Sequence, residues 1–292
     1  FDKNENKPFT AYIKKVWQVT HQNKYDVIID MRSTIRTLFF SLFSLKTPFR
    51  IGRIKGYTRF LLNYRTDTYS NSLTTDMVER NLLLAASLEK IKPIQYTKEF
   101  RLYLTDQEKK DFRYYMEKEG IDFARPVFLI GVTTKLLHKK WNTEFMITTL
   151  KRILEEYKDI QMIFNYAPGY EEEDARNIYK ELGCPERIKI DIQASSLRQL
   201  AALCANCSFY FGNEGGARHI AQALEIPSFA IYSPSAYKSM WLPTNSVLAR
   251  GISPDDILPP EQQATLTYEE RFALITPEKV YNQLTSTLRQ LG

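Results

Sequence analysis

The chain has 292 residues, 43% hydrophobic and 25% charged, with a net charge of +6 and a pI near 9.0. That length suffices for two domains with separate cores, the composition is that of a globular protein rather than a disordered one, and no apolar run reaches the length of a membrane span. Three cysteines form neither a disulfide framework nor a zinc-type cluster, and the basic excess comes without a nucleic-acid-binding motif.

In chain order, residues 25–30 read as a strand, 32–46 as a helix, 49–51 as a short strand and 76–89 as a helix. Between them, residues 54–72 are polar and aromatic, with Tyr57, Arg59, Tyr64, Arg65 and Tyr69 following Arg53. This stretch suits either a cleft-facing loop or a surface excursion. Thr105 and Glu108 have capping-box spacing at the start of a helix that runs to about Gly120. Strands follow at 126–132, 160–165, 187–190, 208–212, 227–232 and 246–249, with helices between them. The alternation predicts parallel α/β sheets. Residues 250–275 look irregular, and residues 277–291 form a last helix with Val280, Leu284 and Leu288 at helical spacing. Cys204 and Cys207 lie late in an apolar helix (197–207) and read as core packing in a reducing cytosol.

Two of the strand ends carry candidate chemistry. After the strand at 208–212 comes Asn213-Glu214-Gly215-Gly216-Ala217, which opens a helix carrying His219. A helix start offers unpaired N–H groups and partial positive charge, and the glycines permit close approach of a phosphate. The same glycines also suit a ligand-free tight turn. After the strand at 126–132, Thr133 and Thr134 lead to Lys135, His138, Lys139, Lys140 and Trp141, with Thr143 expected as the N-cap of a helix over 145–157. This cationic loop suits a diphosphate, or is a solvated surface loop.

Together these segments resemble glycosyltransferase family 9, the ADP-heptose:lipopolysaccharide heptosyltransferase family. Lys139-Lys140-Trp141-Asn142 stands where the family has a Lys-Arg-Trp-Pro-like loop. Gly212 through Ala221 stands at its Gly-Asn-Asp-Ser-Gly-x-x-His-x-Ala-like turn. Pro168-Gly169-Tyr170-Glu171 and Ser196-Leu197-Arg198-Gln199-Leu200 match in order and spacing. Tyr25-Asp26-Val27-Ile28-Ile29-Asp30-Met31-Arg32 is similar to the family's early strand, followed by Ile35-Arg36.

The resemblance implies two Rossmann-like domains facing a cleft, the GT-B arrangement. It implies boundaries at 1–120 for an acceptor-side domain, 121–275 for a nucleotide-sugar domain, and 276–292 for a helix that packs back on the first. Donor contacts are implied for Thr133, Thr134, Lys139, Lys140, Glu171, Glu214, Gly215, Gly216, Ala217 and His219. Asp30, Arg32, Arg36 and Arg59 fall on the acceptor side. Because the family has a strand and a Gly-Asp loop before residue 24, about 50 to 70 residues are expected to precede this chain, the catalytic base among them.

The implied activity is inverting, metal-independent transfer from an ADP-heptose-like donor. The donor is a substrate, and no cofactor is expected. The acceptor would be a phosphorylated glycolipid at the cytoplasmic face of the inner membrane, with peripheral contact to its anionic surface and no nucleic-acid partner. Glu214 departs from the family's Asp, moving the carboxylate by about 1.5 Å, and Gly215 replaces a hydroxyl residue, so the sugar and nucleotide stay open. A sugar-nucleotide epimerase of the same architecture, or a silent nucleotide-sugar-binding homologue, are the alternatives.

Overall fold

The structure, a computed structural model, describes residues 8–68, 75–242 and 246–291. The chain forms two compact units, Phe1–Glu99 and Phe100–Gly292. Among the described residues no helix is long and apolar enough to cross a membrane.

The first unit holds a three-stranded parallel sheet in the order β1 (Val27–Asp30), β2 (Phe49–Arg53), β3 (Tyr64–Thr66). Strand β3 lies inside the segment expected to be a loop. Its pairing, Ile51 opposite Tyr64, is long-range, and the ring of Tyr64 stacks on Phe49 at 5.0 Å. Helix α1 (Phe9–Gln22) was not expected; it buries only Tyr12 and Val16, too sparse an apolar face to stand out in the sequence. The helix expected over 32–46 contracts to α2 (Leu38–Leu42). Asp30 explains this, because its Oδ1 accepts the N–H groups of Arg32 and Ser33 and its Oδ2 accepts the Thr37 hydroxyl. Ser33 takes φ 47°, left-handed backbone that a helix cannot include. Arg53 is buried and donates to Met31 O, Thr68 Oγ1 and Asn81 Oδ1, so it ties the unit together rather than facing a ligand. Helix α3 (Met77–Leu82) continues as a 3-10 helix, Leu83–Lys90. Tyr69 lies outside the described residues.

The second unit is a doubly wound sheet of six parallel strands. In chain order they are β4 (Val127–Gly131), β5 (Gln161–Phe164), β6 (Ile188–Lys189), β7 (Phe209–Asn213), β8 (Ser228–Ile231) and β9 (Ala249–Ile252). Their order in the sheet is β6-β5-β4-β7-β8-β9. Alternate residues face opposite ways, so Phe128, Ile130, Phe209 and Phe211 enter one core while Val127, Leu129 and Tyr210 enter the other. The helices are α4 (Asp106–Lys118), α5 (Thr143–Glu156), α6 (Tyr170–Glu181), α7 (Leu197–Ala205), α8 (Gly216–Ala223), α9 (Lys238–Trp241), α10 (Tyr268–Ala273) and α11 (Pro277–Leu291). Helices α5, α6 and α11 cover the first core; α4, α7 and α8 cover the second.

This packing moves the boundary expected at residue 120. Helix α4 sends Phe112 and Met116 into the same core as Leu203 and Ala221, so it belongs with the second unit. Helix α11 places Val280, Tyr281 and Leu284 in the core of that unit as well. Residues 250–275, expected to be irregular, contain most of β9 and all of α10. Cys204 and Cys207 are buried, and burial alone pushes the Cys204 thiol up to about 12, which makes it a poor nucleophile.

Candidate functional site

Strand β4 leads to β5 on one side, and β7 lies on its other side. The loops after β4 and β7 therefore diverge at a topological switch point, where open parallel sheets form ligand crevices. The strands come unusually close there. Gly212 has φ 141°, and a Cβ on it would lie 2.4 Å from the Gly131 carbonyl oxygen; a Cβ on Gly131 would lie 2.1 Å from the Tyr210 hydroxyl. Both glycines serve this close approach.

Asn213 joins the two loops. Its Oδ1 accepts the Trp141 backbone N–H at 2.8 Å, and its Nδ2 donates to the carbonyls of Gly131 and Val132 at 3.0 and 3.2 Å. Trp141 is 1% exposed and donates its indole N–H to Ile275 O at 2.9 Å. The cationic loop thus hangs from a buried anchor, which leaves Lys139 and Lys140 on a defined support. Asn213 was visible in the glycine motif but was not assigned a role, because one polar residue at a strand end does not reveal its partners. Asn142, not Thr143, caps α5, its Oδ1 accepting the Phe145 N–H at 3.1 Å.

The expected donor residues gather in three contacts. Thr133 donates its hydroxyl to Glu171 Oε2 at 3.2 Å, and both are buried. Lys139 Nζ meets Glu214 Oε2 at 3.0 Å, with His219 Nε2 at 3.7 Å from Glu214 Oε1. Lys140 Nζ pairs with Asp174 Oδ2 at 2.6 Å, a partner that the sequence reading missed. The Thr134 carbonyl accepts the Tyr170 hydroxyl at 3.1 Å. Burial pushes the Glu214 carboxyl up, but the nearby His219 ring together with the hydrogen bond and charge of Lys139 outweigh it and hold the group below its usual range. It is an ionised carboxylate, 6% exposed, with a cation at one oxygen.

Among the helices of eight residues or more in the second unit with a described N-cap, the starts differ. Helices α4, α5 and α7, and the shorter α10, are capped by the side chains of Thr105, Asn142, Ser196 and Thr267. Helices α6 and α8, which follow β5 and β7 at the crevice, have Gly169 and Gly215 as N-caps and no side-chain cap. Gly215 has φ 177°, extended backbone that any residue adopts. A Cβ on Gly215 or on Gly216 would meet no atom within 4 Å. Positive φ at Gly216, which would have given the turn a purely structural reason, is not found. The glycines leave room above the amide groups of residues 216–218.

Of the expected acceptor-side residues, Asp30 is occupied in its own turn. Arg32, Arg36 and Arg59 are exposed, with Arg36 lying over the Tyr12 ring at 4.2 Å and Arg59 over Phe60 at 6.0 Å. Among the described residues there is no group of three or more His, Cys, Asp or Glu side chains that could hold a metal ion.

A sequence model of glycosyltransferase family 9 (heptosyltransferase) matches residues 13–251. No curated protein sequence matches the chain. Solved structures share its fold. The Escherichia coli ADP-heptose lipopolysaccharide heptosyltransferase II is 19% identical, with 95% of this chain and 81% of that one aligned at a TM-score of 0.68. A family 9 glycosyl transferase from Veillonella parvula is 16% identical, with 99% and 81% aligned at 0.77. The UDP-GlcNAc 2-epimerase of Methanocaldococcus jannaschii is more distant, 14% identical over 96% and 81% at 0.56.

Proposed function

This chain belongs to glycosyltransferase family 9, and we propose that it moves heptose or a related sugar from an ADP-heptose-like donor to a lipopolysaccharide or related glycan, with inversion and without a metal ion. One observation supports this most. Helix α8 opens at the switch point on two glycines with no side-chain cap, and space stands open where their side chains would be. A diphosphate at that mouth accepts N–H groups from residues 216–218 and faces the positive end of the helix.

Lys139 and Lys140 each hold a carboxylate. An ammonium has three donors, so each can keep that partner and reach a phosphate oxygen. Amides and ammonium groups then stabilise the charge of the departing diphosphate, the task a divalent ion performs elsewhere. The acceptor hydroxyl attacks the anomeric carbon from the face opposite the diphosphate. Its C–O bond forms as the bond to the diphosphate breaks, and its proton passes to a base. Glu171 has one oxygen engaged by Thr133, which leaves the other for the ribose hydroxyls of the donor. In this reading Glu214 and His219 contact the donor.

Charge supports an anionic acceptor on the first unit. Phe1–Glu99 contains 17 Lys and Arg against 9 Asp and Glu, whereas Phe100–Gly292 contains 23 against 25. The whole positive excess lies in the unit with Arg32, Arg36 and Arg59. Its field favours phosphorylated glycolipid and the anionic cytoplasmic leaflet of the inner membrane.

A thermal-shift panel of nucleotide sugars tests the reading. A ligand at 100 times its Kd stabilises the folded state by about 2.7 kcal/mol. ADP-heptose is expected to raise the melting temperature more than UDP-GlcNAc. Stabilisation by UDP-GlcNAc alone would overturn the donor assignment in favour of the epimerase reading.

A further inference from the structure

Arg218 is fully buried, yet it forms no ion pair with a carboxylate among the described residues. An isolated charge in a core is costly unless its donors are engaged. Its Nε has no partner, while Nη1 donates to Gln222 Oε1, and Nη2 donates to the Trp241 carbonyl at 2.7 Å and lies against the His219 ring, 2.5 Å from Nδ1 and 3.5 Å from Nε2.

The shorter of the two ring contacts, to Nδ1, points to one tautomer of the histidine. A guanidinium only donates, so Nδ1 must accept. A neutral imidazole with a lone pair on Nδ1 carries its proton on Nε2, the nitrogen 3.7 Å from Glu214 Oε1. The other tautomer would set N–H against N–H at Arg218 and a lone pair against a carboxylate at Glu214. The indole of Trp241, 5.3 Å away between centroids, flanks the ring.

We infer that Arg218 is a positioning residue of the donor site: through Nδ1 of His219 it directs the Nε2–H toward Glu214, so that this carboxylate is paired with Lys139 on one oxygen and faces the His219 N–H across 3.7 Å on the other. The role rests on the donor-site reading for its purpose, but the tautomer itself is a property of the chain alone. It also explains why a cation occupies a buried place where a methionine of similar reach would avoid the desolvation cost.

The experiment is nitrogen-15 NMR of the three histidines at a pH where imidazole is neutral, in the protein without nucleotide, with His219 assigned by a His219→Gln variant. In the unsubstituted protein His219 is expected as the Nε2–H tautomer, with a hydrogen-bond coupling between Arg218 Nη2 and His219 Nδ1. In Arg218→Met the Nδ1 resonance is expected to move toward that of a free acceptor, and the Nδ1–H form to become populated, with a retained melting transition showing that the variant folds. An unchanged tautomer and Nδ1 shift in Arg218→Met would overturn the inference. If that variant does not fold, the coupling in the unsubstituted protein decides: its presence supports the role and its absence overturns it. Neither result depends on which nucleotide sugar binds.

Discussion

The carboxyl ends of β1 and β7 pose the same problem and solve it in opposite ways. Each is the end of a parallel strand, where backbone amides of the following turn need acceptors. After β1 the protein supplies them itself: Asp30 takes two N–H groups and a hydroxyl, and Ser33 Oγ takes the Arg53 N–H at 2.7 Å. After β7 it withholds them. Gly215 has no side chain to cap α8, and Glu214 is turned instead to Lys139 and His219. One strand end is sealed by its own side chains, whereas the other keeps its carboxylate turned aside from open amides, which is the observation behind the proposed diphosphate site.

The largest expected effect breaks the open end. In Gly216→Val a branched side chain fills the helix mouth, and nucleotide-sugar affinity should fall on the order of 100-fold, about 2.7 kcal/mol by the loss of charge-assisted bonds. Because no Cβ clash and no positive φ stand at this position, the melting temperature should hold within a few degrees. Calorimetry and melting on one sample separate the two; a variant that melts early and still binds would make these glycines structural.

At the sealed end the pattern inverts. Asp30→Ala strands two buried or half-buried amides and a hydroxyl, at a cost of about 1–3 kcal/mol in urea unfolding. Donor affinity of the folded fraction should stay the same. Equal stability in the variant would mean that the turn does not depend on this carboxylate.

Lys139→Ala gives a smaller effect at the open end. It removes one cation from the crevice and leaves Glu214 less compensated, so donor affinity should fall by about tenfold, roughly 1.4 kcal/mol. Unchanged affinity would remove the diphosphate role of this loop. The same variant sharpens the electrostatics. Glu214 is depressed below its ordinary value of 4.5 in the folded state, so it contributes stability that is present above pH 4.5 and lost as pH falls through the folded value. The acid limb of the stability curve should be shallower in Lys139→Ala, as followed by denaturant titration at several pH values. The smallest effect is expected from chelation. Transfer should survive excess EDTA, and strict dependence on magnesium or manganese would replace the amide-and-ammonium account of leaving-group charge.

How much could be read in advance depended on how local the cause was. Strands β4, β5, β7 and β8 are mostly apolar, buried runs between turn signals, which a parallel strand needs, whereas β9, with Arg250 and Gly251, lies at Ala249–Ile252 rather than at the expected 246–249. The Thr105–Glu108 box was legible because both partners sit within four residues. Strand β3 was hidden, since Tyr64–Thr66 becomes a strand only by pairing with Ile51–Arg53. The helix expected over 32–46 was overruled by hydrogen bonds that converge on one aspartate. In the site, the glycine turn, the cationic loop, Glu171 and His219 were visible as a pattern shared with a family. Asp174 and the anchoring by Asn213 were not, since their partners lie 34 and 72 residues away.

The sequence by itself determined the α/β class, the family and the loops at the ends of β4 and β7, because hydrophobic period, turn chemistry and motif order are written along the chain. Only the tertiary structure decided which strand end is sealed and which stays open, where α4 and α11 pack, and that a buried Arg218 stands behind His219. Those outcomes depend on which side chains meet across the fold, and hydrogen bonds and burial are properties of that meeting rather than of any single stretch of residues.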